Sequence, residues 1–303
     1  MPPASGLLLM PDSRPLHVPV LLQEIIDWLD PQPGQTFVDG TLGGGGHARA
    51  LAERVGPEGL VLALDRDPAA IEAASVRLKG LPLKVAVSNY ADLRALLDDL
   101  GIVGVQGILL DLGLSSDQIA DPERGFSFDA SGDLDLRFDP TSGEPAWRLL
   151  QRLDERELAD LIYEFGEERF SRRIARKIVA LRGETPIRSA DQIAAIVRSV
   201  VPRSQDTARI DPATRTFQAL RIAVNDELGS LRRALASMPD CLLPSGRLAI
   251  ISFHSLEDRL VKWAFREDPR WEPLTKKPVM ASDEEMACNP RSRSAKLRVA
   301  QRT

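Results

Sequence analysis

A strand-like segment, Thr36-Phe-Val-Asp39, runs into Gly40-Thr-Leu-Gly-Gly-Gly-Gly-His47, and helical residues Ala48 to Arg54 follow. Without Cβ atoms, Gly43, Gly44, Gly45 and Gly46 let the backbone adopt positive φ and come close to a ligand, and the helix start offers N–H donors to a carboxylate or phosphate. A tight surface turn is the plain alternative, but turns seldom need four glycines in a row. Gly43, Gly45 and Ala48 also fit G-x-G-x-x-A with Asp65 about 20 residues further on, as a dinucleotide fold would have it. Asp39 tilts the choice. A carboxylate at the strand end facing the loop would repel a pyrophosphate and attract the ammonium of S-adenosylmethionine. Asp65 would accept hydrogen bonds from ribose hydroxyls, which both cofactors carry. Tyr90 follows a third strand, where its ring could stack on adenine or simply fill a strand end.

Two more strand ends carry reactive groups. Ile108-Leu-Leu-Asp111 is followed by Leu112-Gly-Leu-Ser-Ser116, and Asp111 is expected either to hold a ligand or to cap a turn. Ser252-Phe-His254-Ser-Leu-Glu-Asp258 borders the same edge, with His254 as a candidate base or base-edge contact. Lone histidines are commonly structural, and the same reservation covers His17 and His47. Basic residues gather in two places. Arg169, Arg172, Arg173, Arg176 and Lys177 crowd a helix whose apolar face is Phe170, Ile174, Ile178 and Leu181, and a C-terminal tail holds Arg291, Arg293, Lys296 and Arg298 without an acid. Either patch alone reads as a solvated face; flanking one crevice, both become candidate phosphate contacts.

These residues need a scaffold, and the chain alternates to provide it. Strands at Thr36–Asp39, Leu60–Leu64, Leu83–Val87 and Gly107–Leu110 are separated by helices at Pro68–Leu78 and Asp92–Leu100, which predicts a parallel doubly wound α/β sheet. From Leu112 a Gly/Ser/Asp-rich stretch gives way to helical segments at 144–165, 167–182 and 189–201. The α/β pattern returns with a helix over Ala213–Ser237, a strand over Arg247–Phe253 and a helix over Leu256–Arg266. The expected layout is a flexible tail (1–15), an α/β domain from 16–111 and 212–303, and an inserted, mostly helical subdomain over 112–211. With 303 residues, 43% hydrophobic and 27% charged, the chain has globular composition, and its net charge of −5 excludes a global attraction to polyanions. No apolar run approaches the ~18 residues of a membrane span, and the start lacks the basic region of a signal peptide. Cys241 and Cys288 fit neither a disulfide framework nor a metal site, so a cytoplasmic protein without a metal is expected.

With these residues assembled, the chain resembles the bacterial 16S ribosomal RNA cytosine-N4 methyltransferases nearly end to end. The resemblance rests on His17-Val-Pro-Val-Leu-Leu-Gln-Glu24, Asp39-Gly-Thr-Leu-Gly-Gly-Gly-Gly-His47, Asp65-Arg-Asp-Pro68, Leu109-Leu-Asp-Leu-Gly-Leu-Ser-Ser116 and Arg124-Gly-Phe-Ser-Phe128. Glu164-Phe-Gly-Glu-Glu-Arg169, Thr214-Arg-Thr-Phe-Gln-Ala-Leu-Arg221, Ser252 to Arg259 and Asn289 to Arg298 extend it. It implies a class I, Rossmann-like methyltransferase fold with a helical insertion, S-adenosylmethionine as cofactor, and a decoding-centre cytidine of the small ribosomal subunit as target. Family cofactor contacts map onto Gly44 to His47, Asp65, Tyr90, Asp111 and Gln118. Asp111 and His254 are the expected catalytic groups, and Arg169, Arg173, Lys177, Arg291, Arg293, Lys296 and Arg298 the expected RNA contacts. A homodimer is left open. Two departures from the family pattern stand out: Asp211 replaces the usual histidine before Pro212, and Gly132-Asp-Leu-Asp135 replaces Asp-Gly-Pro-Leu-Asp. A dinucleotide-dependent oxidoreductase and a non-catalytic RNA-binding assembly factor are the competing readings.

Overall fold

A computed structural model describes residues 19–128, 132–202 and 211–303. His17 and the expected tail lie outside the described residues. The first half of the chain alternates as α1 (Leu22–Leu29), β1 (Thr36–Asp39), α2 (Gly46–Val55), β2 (Leu60–Asp65), α3 (Pro68–Arg77), β3 (Leu83–Val87), α4 (Leu93–Asp99) and β4 (Val105–Asp111). Helices α5 (Ser116–Ala120), α6 (Ala146–Arg152), α7 (Glu155–Gly166), α8 (Ser171–Arg182), α9 (Ala190–Val200), α10 (Thr214–Asn225) and α11 (Glu227–Ser237) come next. The chain ends with β5 (Leu242–Ser252), α12 (Ser255–Glu267), β6 (Trp271–Pro273), α13 (Asp283–Cys288) and β7 (Lys296–Arg302).

The strands form one seven-stranded sheet in the order β3-β2-β1-β4-β5-β7-β6. The pairs among β1 to β5 are parallel, while β7 is antiparallel to both β5 and β6. This is the doubly wound, mostly parallel sheet that the alternation predicts. Side-chain alternation explains why it is a buried, three-layer sheet. Phe37, Val61, Ala63, Leu109, Ala249 and Ile251 pack on one face with α1, α2 and α3. Val38, Leu62, Leu64, Ile108, Leu110, Leu248 and Ile250 pack on the other with α4, α11 and α12. Strand order reverses between β1 and β4, so a crevice opens beyond their carboxyl ends.

A separate helical core joins Leu150, Leu158, Ile162, Ile174, Ile178, Ile193 and Val197 to Phe217 and Leu220 of α10. The helical packing therefore continues past residue 211. The single helix expected over 213–237 is two, because Asp226 adopts φ 48° between α10 and α11. The expected helix over 144–165 also divides, at Leu153, where Asp154 caps α7 with a side-chain oxygen on Glu157 N–H. The largest departure is at the C-terminus. Residues 296–302 are a core strand rather than a basic tail, with Leu297, Val299 and Ala300 buried. Among the described residues, no helix is long and apolar enough to cross a membrane.

Candidate active site

The crevice holds a cavity whose empty space, open solvent included, is about 870 Å³, at the switch point where open α/β sheets take their ligands. Gly43, Gly44, Gly46 and His47 line it from the glycine loop, Asp65 and Arg66 from the end of β2, Tyr90 from beyond β3, and Asp111 to Ser115 from the end of β4. The sequence thus brings four strand ends to one place because all four strands are parallel. The loop is tied to its neighbour: Gly43 N–H donates to Asp65 Oδ2 at 2.8 Å, and Asp67 N–H donates to Asp65 Oδ1 at 2.9 Å. Burial raises the Asp65 pKa, against these two N–H donors. Each Asp65 oxygen keeps a second lone pair for a hydroxyl.

Beneath the loop lies a chain of three titratable groups. His47 Nε2 faces the Val20 carbonyl at 2.9 Å, and because a carbonyl only accepts, the proton sits on Nε2. Nδ1 then turns an unprotonated face to Asp111 Oδ2, 3.8 Å away. Burial lowers the His47 pKa, with the Asp39 charge opposing it. Asp111 Oδ1 is buried without a hydrogen-bond partner. Burial lifts its pKa to about 7, Arg291 pulling it down and Glu257 adding to the rise. Asp39 accepts from Thr41 N–H at 3.1 Å through Oδ1 and leaves Oδ2 unpartnered; burial raises its pKa to about 6.

The facing wall comes from α11 and α12. Glu227 and Glu257 line the cavity and are almost fully buried. Arg221 of α10 donates to both Glu227 oxygens, at 2.8 and 3.0 Å. Glu257 Oε2 accepts from the N–H groups of Phe253 (2.9 Å) and His254 (3.4 Å), and Oε1 lies 3.2 Å from His254 Nε2. Burial pushes the Glu257 pKa up, yet His254, Arg221 and the Phe253 N–H together hold it below the usual carboxylate range. Glu227, His254 and Glu257 bring ligand-type atoms within 4.8 Å of one another, with Glu227 already held by Arg221 and Glu257 by His254 and backbone N–H groups.

Several expected residues are placed otherwise. Asp39 does not line the cavity, whereas Asp65, Asp111, Glu227 and Glu257 do. Gly45 does not line it either: at φ 80° its missing Cβ would come 2.9 Å from Leu78 Cδ1, so glycine there serves packing and backbone conformation. His254 caps α12 and leans on Glu257 behind the wall instead of facing the cavity. Gln118 does line it, with its polar atoms committed to Ser115 N–H and Asp67.

Among the expected RNA contacts, Arg169, Arg173, Lys177 and Arg293 are exposed. Arg298 is buried and bonded to Asp258 at 2.6 Å, with Lys296 3.6 Å from the same carboxylate. These two cations brace a strand because β7 lies inside the sheet. Arg291 lines the cofactor-side cavity and donates to Ser116 Oγ and the Leu114 carbonyl. Asp211 pairs with Arg198 at 2.7 Å and accepts from Ala213 N–H, a local role at the start of α10. The sequence reading missed Glu257, Glu227 and Arg66. Glu257 had a signal, since it sits three residues after the N-cap where a capping-box acid belongs. Glu227 had none.

The lining carries four carboxylates against two arginines, Arg66 and Arg291, and an unpartnered oxygen on Asp111. Such a donor set fits a cationic sulfonium and ammonium with ribose hydroxyls, and opposes a pyrophosphate. It suits S-adenosylmethionine.

Comparison with known proteins agrees with this chemistry. The model of the MraW methylase family matches residues 14–303. A ribosomal RNA small subunit methyltransferase H from Rhodopirellula baltica is 52% identical over 297 residues, spanning 94% of this chain and 91% of the relative. Proteins of the same name from Thermomicrobium roseum and Syntrophus aciditrophicus are 48% and 46% identical, covering 94% and 97% of this chain and 93% and 100% of their own lengths.

Proposed function

We propose, from the premise that this chain belongs to the MraW methylase family, that its crevice serves methyl transfer from S-adenosylmethionine to the exocyclic N4 of a decoding-centre cytidine in 16S rRNA. At the coarser level the chain is an S-adenosylmethionine-dependent rRNA methyltransferase, as its family and its half-identical relatives support. Its working place is then the cytoplasm, where small subunits are found. The observation that carries the finer reading is Asp111, which lines the cavity and buries Oδ1 without a hydrogen-bond partner.

When bound, S-adenosylmethionine supplies an electrophilic methyl on a sulfonium that is already a good leaving group. An exocyclic cytosine amine is a poor nucleophile because its lone pair is delocalised into the ring. Asp111 Oδ1 accepts one amine N–H, which favours a pyramidal nitrogen and stabilises the positive charge that grows there. With a pKa raised to about 7 by burial, the same oxygen can take the proton released after transfer. Asp65 orients a nucleoside through its remaining lone pairs. Glu227 and Glu257, fixed by Arg221 and by backbone N–H groups, hold the far wall rigid so that the approach geometry of roughly 3 to 3.5 Å is reproduced at each turnover. The target base must leave its stack to reach Asp111, and the helical subdomain of residues 112–211, joined by α10, is the element we assign to presenting it.

The test is transfer of labelled methyl from S-adenosylmethionine to unmethylated small subunits, followed by mass mapping of the nucleosides. N4-methylcytidine at one decoding-centre position is expected; label on another base or another atom would overturn the finer reading.

A further inference from the structure

The exposed side of α12 was absorbed by neither the cofactor crevice nor the expected RNA patches. A cleft of about 610 Å³, part of it open to solvent, lies between α12, β6 and β7, with Lys262, Arg266, Lys276 and Arg298 among its walls and no acid. Arg298 is neutralised by Asp258. Lys262, Arg266 and Lys276 have no carboxylate within 4 Å among the described residues, whereas the neighbouring Arg259 and Arg270 are held by Glu167 and Asp268.

Beside the cleft stands Trp263, 44% exposed. Lys262 Nζ and Arg266 Cζ lie over its ring, 5.4 and 5.3 Å from the centroid, so a base that stacks there displaces one of these cations toward a phosphate. The helix beneath is firmly seated: Val261 and Phe265 are buried, and Phe265 packs on Trp271 with ring centroids 5.5 Å apart. Ser255, Arg259, Lys262, Trp263 and Arg266 recur at helical spacing, so they form one outward stripe. It starts where Ser255 and Arg259 hold Glu167 at the end of α7, next to the catalytic crevice, and runs about 16 Å away along the helix.

We infer that this stripe and cleft form a second RNA site, binding the phosphates of single-stranded rRNA adjoining the target nucleotide with one base stacked on Trp263. Charge complementarity selects a polyanion, and an exposed aromatic between two cations adds the stacking surface that single strands use and acidic peptides do not need. The inference rests on the rRNA methyltransferase reading and names where its substrate continues beyond the crevice.

The experiment compares the full chain with two variants, Lys262→Ala/Arg266→Ala/Lys276→Ala and Trp263→Ala. Affinity for protein-free 16S rRNA is measured across a salt titration, together with methyl transfer to intact unmethylated small subunits and S-adenosylmethionine binding. The triple variant should bind rRNA roughly tenfold more weakly at moderate salt, with the log–log salt slope flattened by about two. Trp263→Ala should weaken binding about fivefold or more and leave the slope unchanged, with Trp263→Phe recovering most of the loss. S-adenosylmethionine affinity and kcat should stay within about twofold, since neither variant touches the crevice. Unchanged rRNA affinity and slope in an active enzyme would overturn the inference alone. So would a loss confined to intact subunits, which would assign the patch to a ribosomal protein. Absence of methyl transfer to any rRNA by the unaltered chain would overturn the underlying reading as well.

Discussion

The two walls of the crevice solve opposite problems. On the glycine-loop side, Asp111, which lines the crevice, and Asp39 behind it each bury an oxygen without a partner, and their pKa values are raised to about 7 and about 6. On the α10 to α12 side, Glu227 and Glu257 are just as deeply buried, yet Arg221 and two backbone N–H groups satisfy them, and the Glu257 pKa is lowered. An unsatisfied buried carboxylate costs stability and is ready for a ligand to complete it; a satisfied one is a fixed template. Among the described residues, the two buried carboxylate oxygens without a partner both lie on the glycine-loop side.

Substitutions can break this division. The largest effect is expected at Arg221→Ala, which leaves the Glu227 charge buried without its partner and should cost about 3 kcal/mol or more in urea unfolding. A loss under 1 kcal/mol would mean the template wall is not held by this pair. Asp111→Asn keeps the shape but removes the charge and replaces one acceptor oxygen by an N–H donor, so single-turnover methyl transfer should fall ~10²-fold or more while S-adenosylmethionine affinity changes far less. The reverse pattern would remove Asp111 from the chemistry.

The pH dependence sharpens the same contrast. The Asp111 pKa is raised in the fold from 3.8 to about 7, so its protonated form is the one the fold favours. That stability is fully present below the unfolded pKa and is lost as pH rises through about 7. Asp111→Asn should therefore melt higher than the native chain above pH 7 even as it loses activity. In the free enzyme the accepting form is the carboxylate, so kcat/KM for S-adenosylmethionine should rise through pH 7 and flatten in the variant. A flat native profile would count against the assignment.

Gly45→Val tests the loop from the other side. Its side chain would meet Leu78, not the cavity, from a residue at φ 80°, so a stability loss of about 2 kcal/mol is expected, with affinity reduced only as the loop shifts. An intact fold with abolished binding would restore a direct contact between Gly45 and the ligand. The smallest effect belongs to His254→Asn, which preserves the cap of α12 and removes only the lean on Glu257. Single-turnover rates should change by less than about fivefold; a hundredfold loss would return His254 to the reacting groups.

Much of this could be read along the chain. The alternation of buried strands and helices from Thr36 to Asp111 gave the parallel half of the sheet, and parallel strands oblige the glycine loop, Asp65, Tyr90 and Asp111 to share one edge. What escaped the reading lay in side-chain direction and long-range pairing. Asp39, Gly45 and His254 are in the right segments, but none of them lines the cavity. Arg66 and Glu257 belong to quoted motifs, yet nothing local shows that they face inward.

The C-terminal residues mark the boundary most clearly. Five cations without an acid between Arg291 and Thr303 have the composition of a solvated tail, and that is all composition can register. Whether Lys296 and Arg298 meet phosphate or Asp258 depends on β7 inserting between β5 and β6, a pairing that joins Leu297 to Ile251 and Ala300 to Pro273. By itself the sequence determined the fold class and the edge where chemistry gathers, because hydrophobic period and strand direction are local and repeat. Only the tertiary structure decided which charges are satisfied and which are left open, because a charge is neutralised by what lies within a few ångströms in space, and those partners come from segments far apart in the chain.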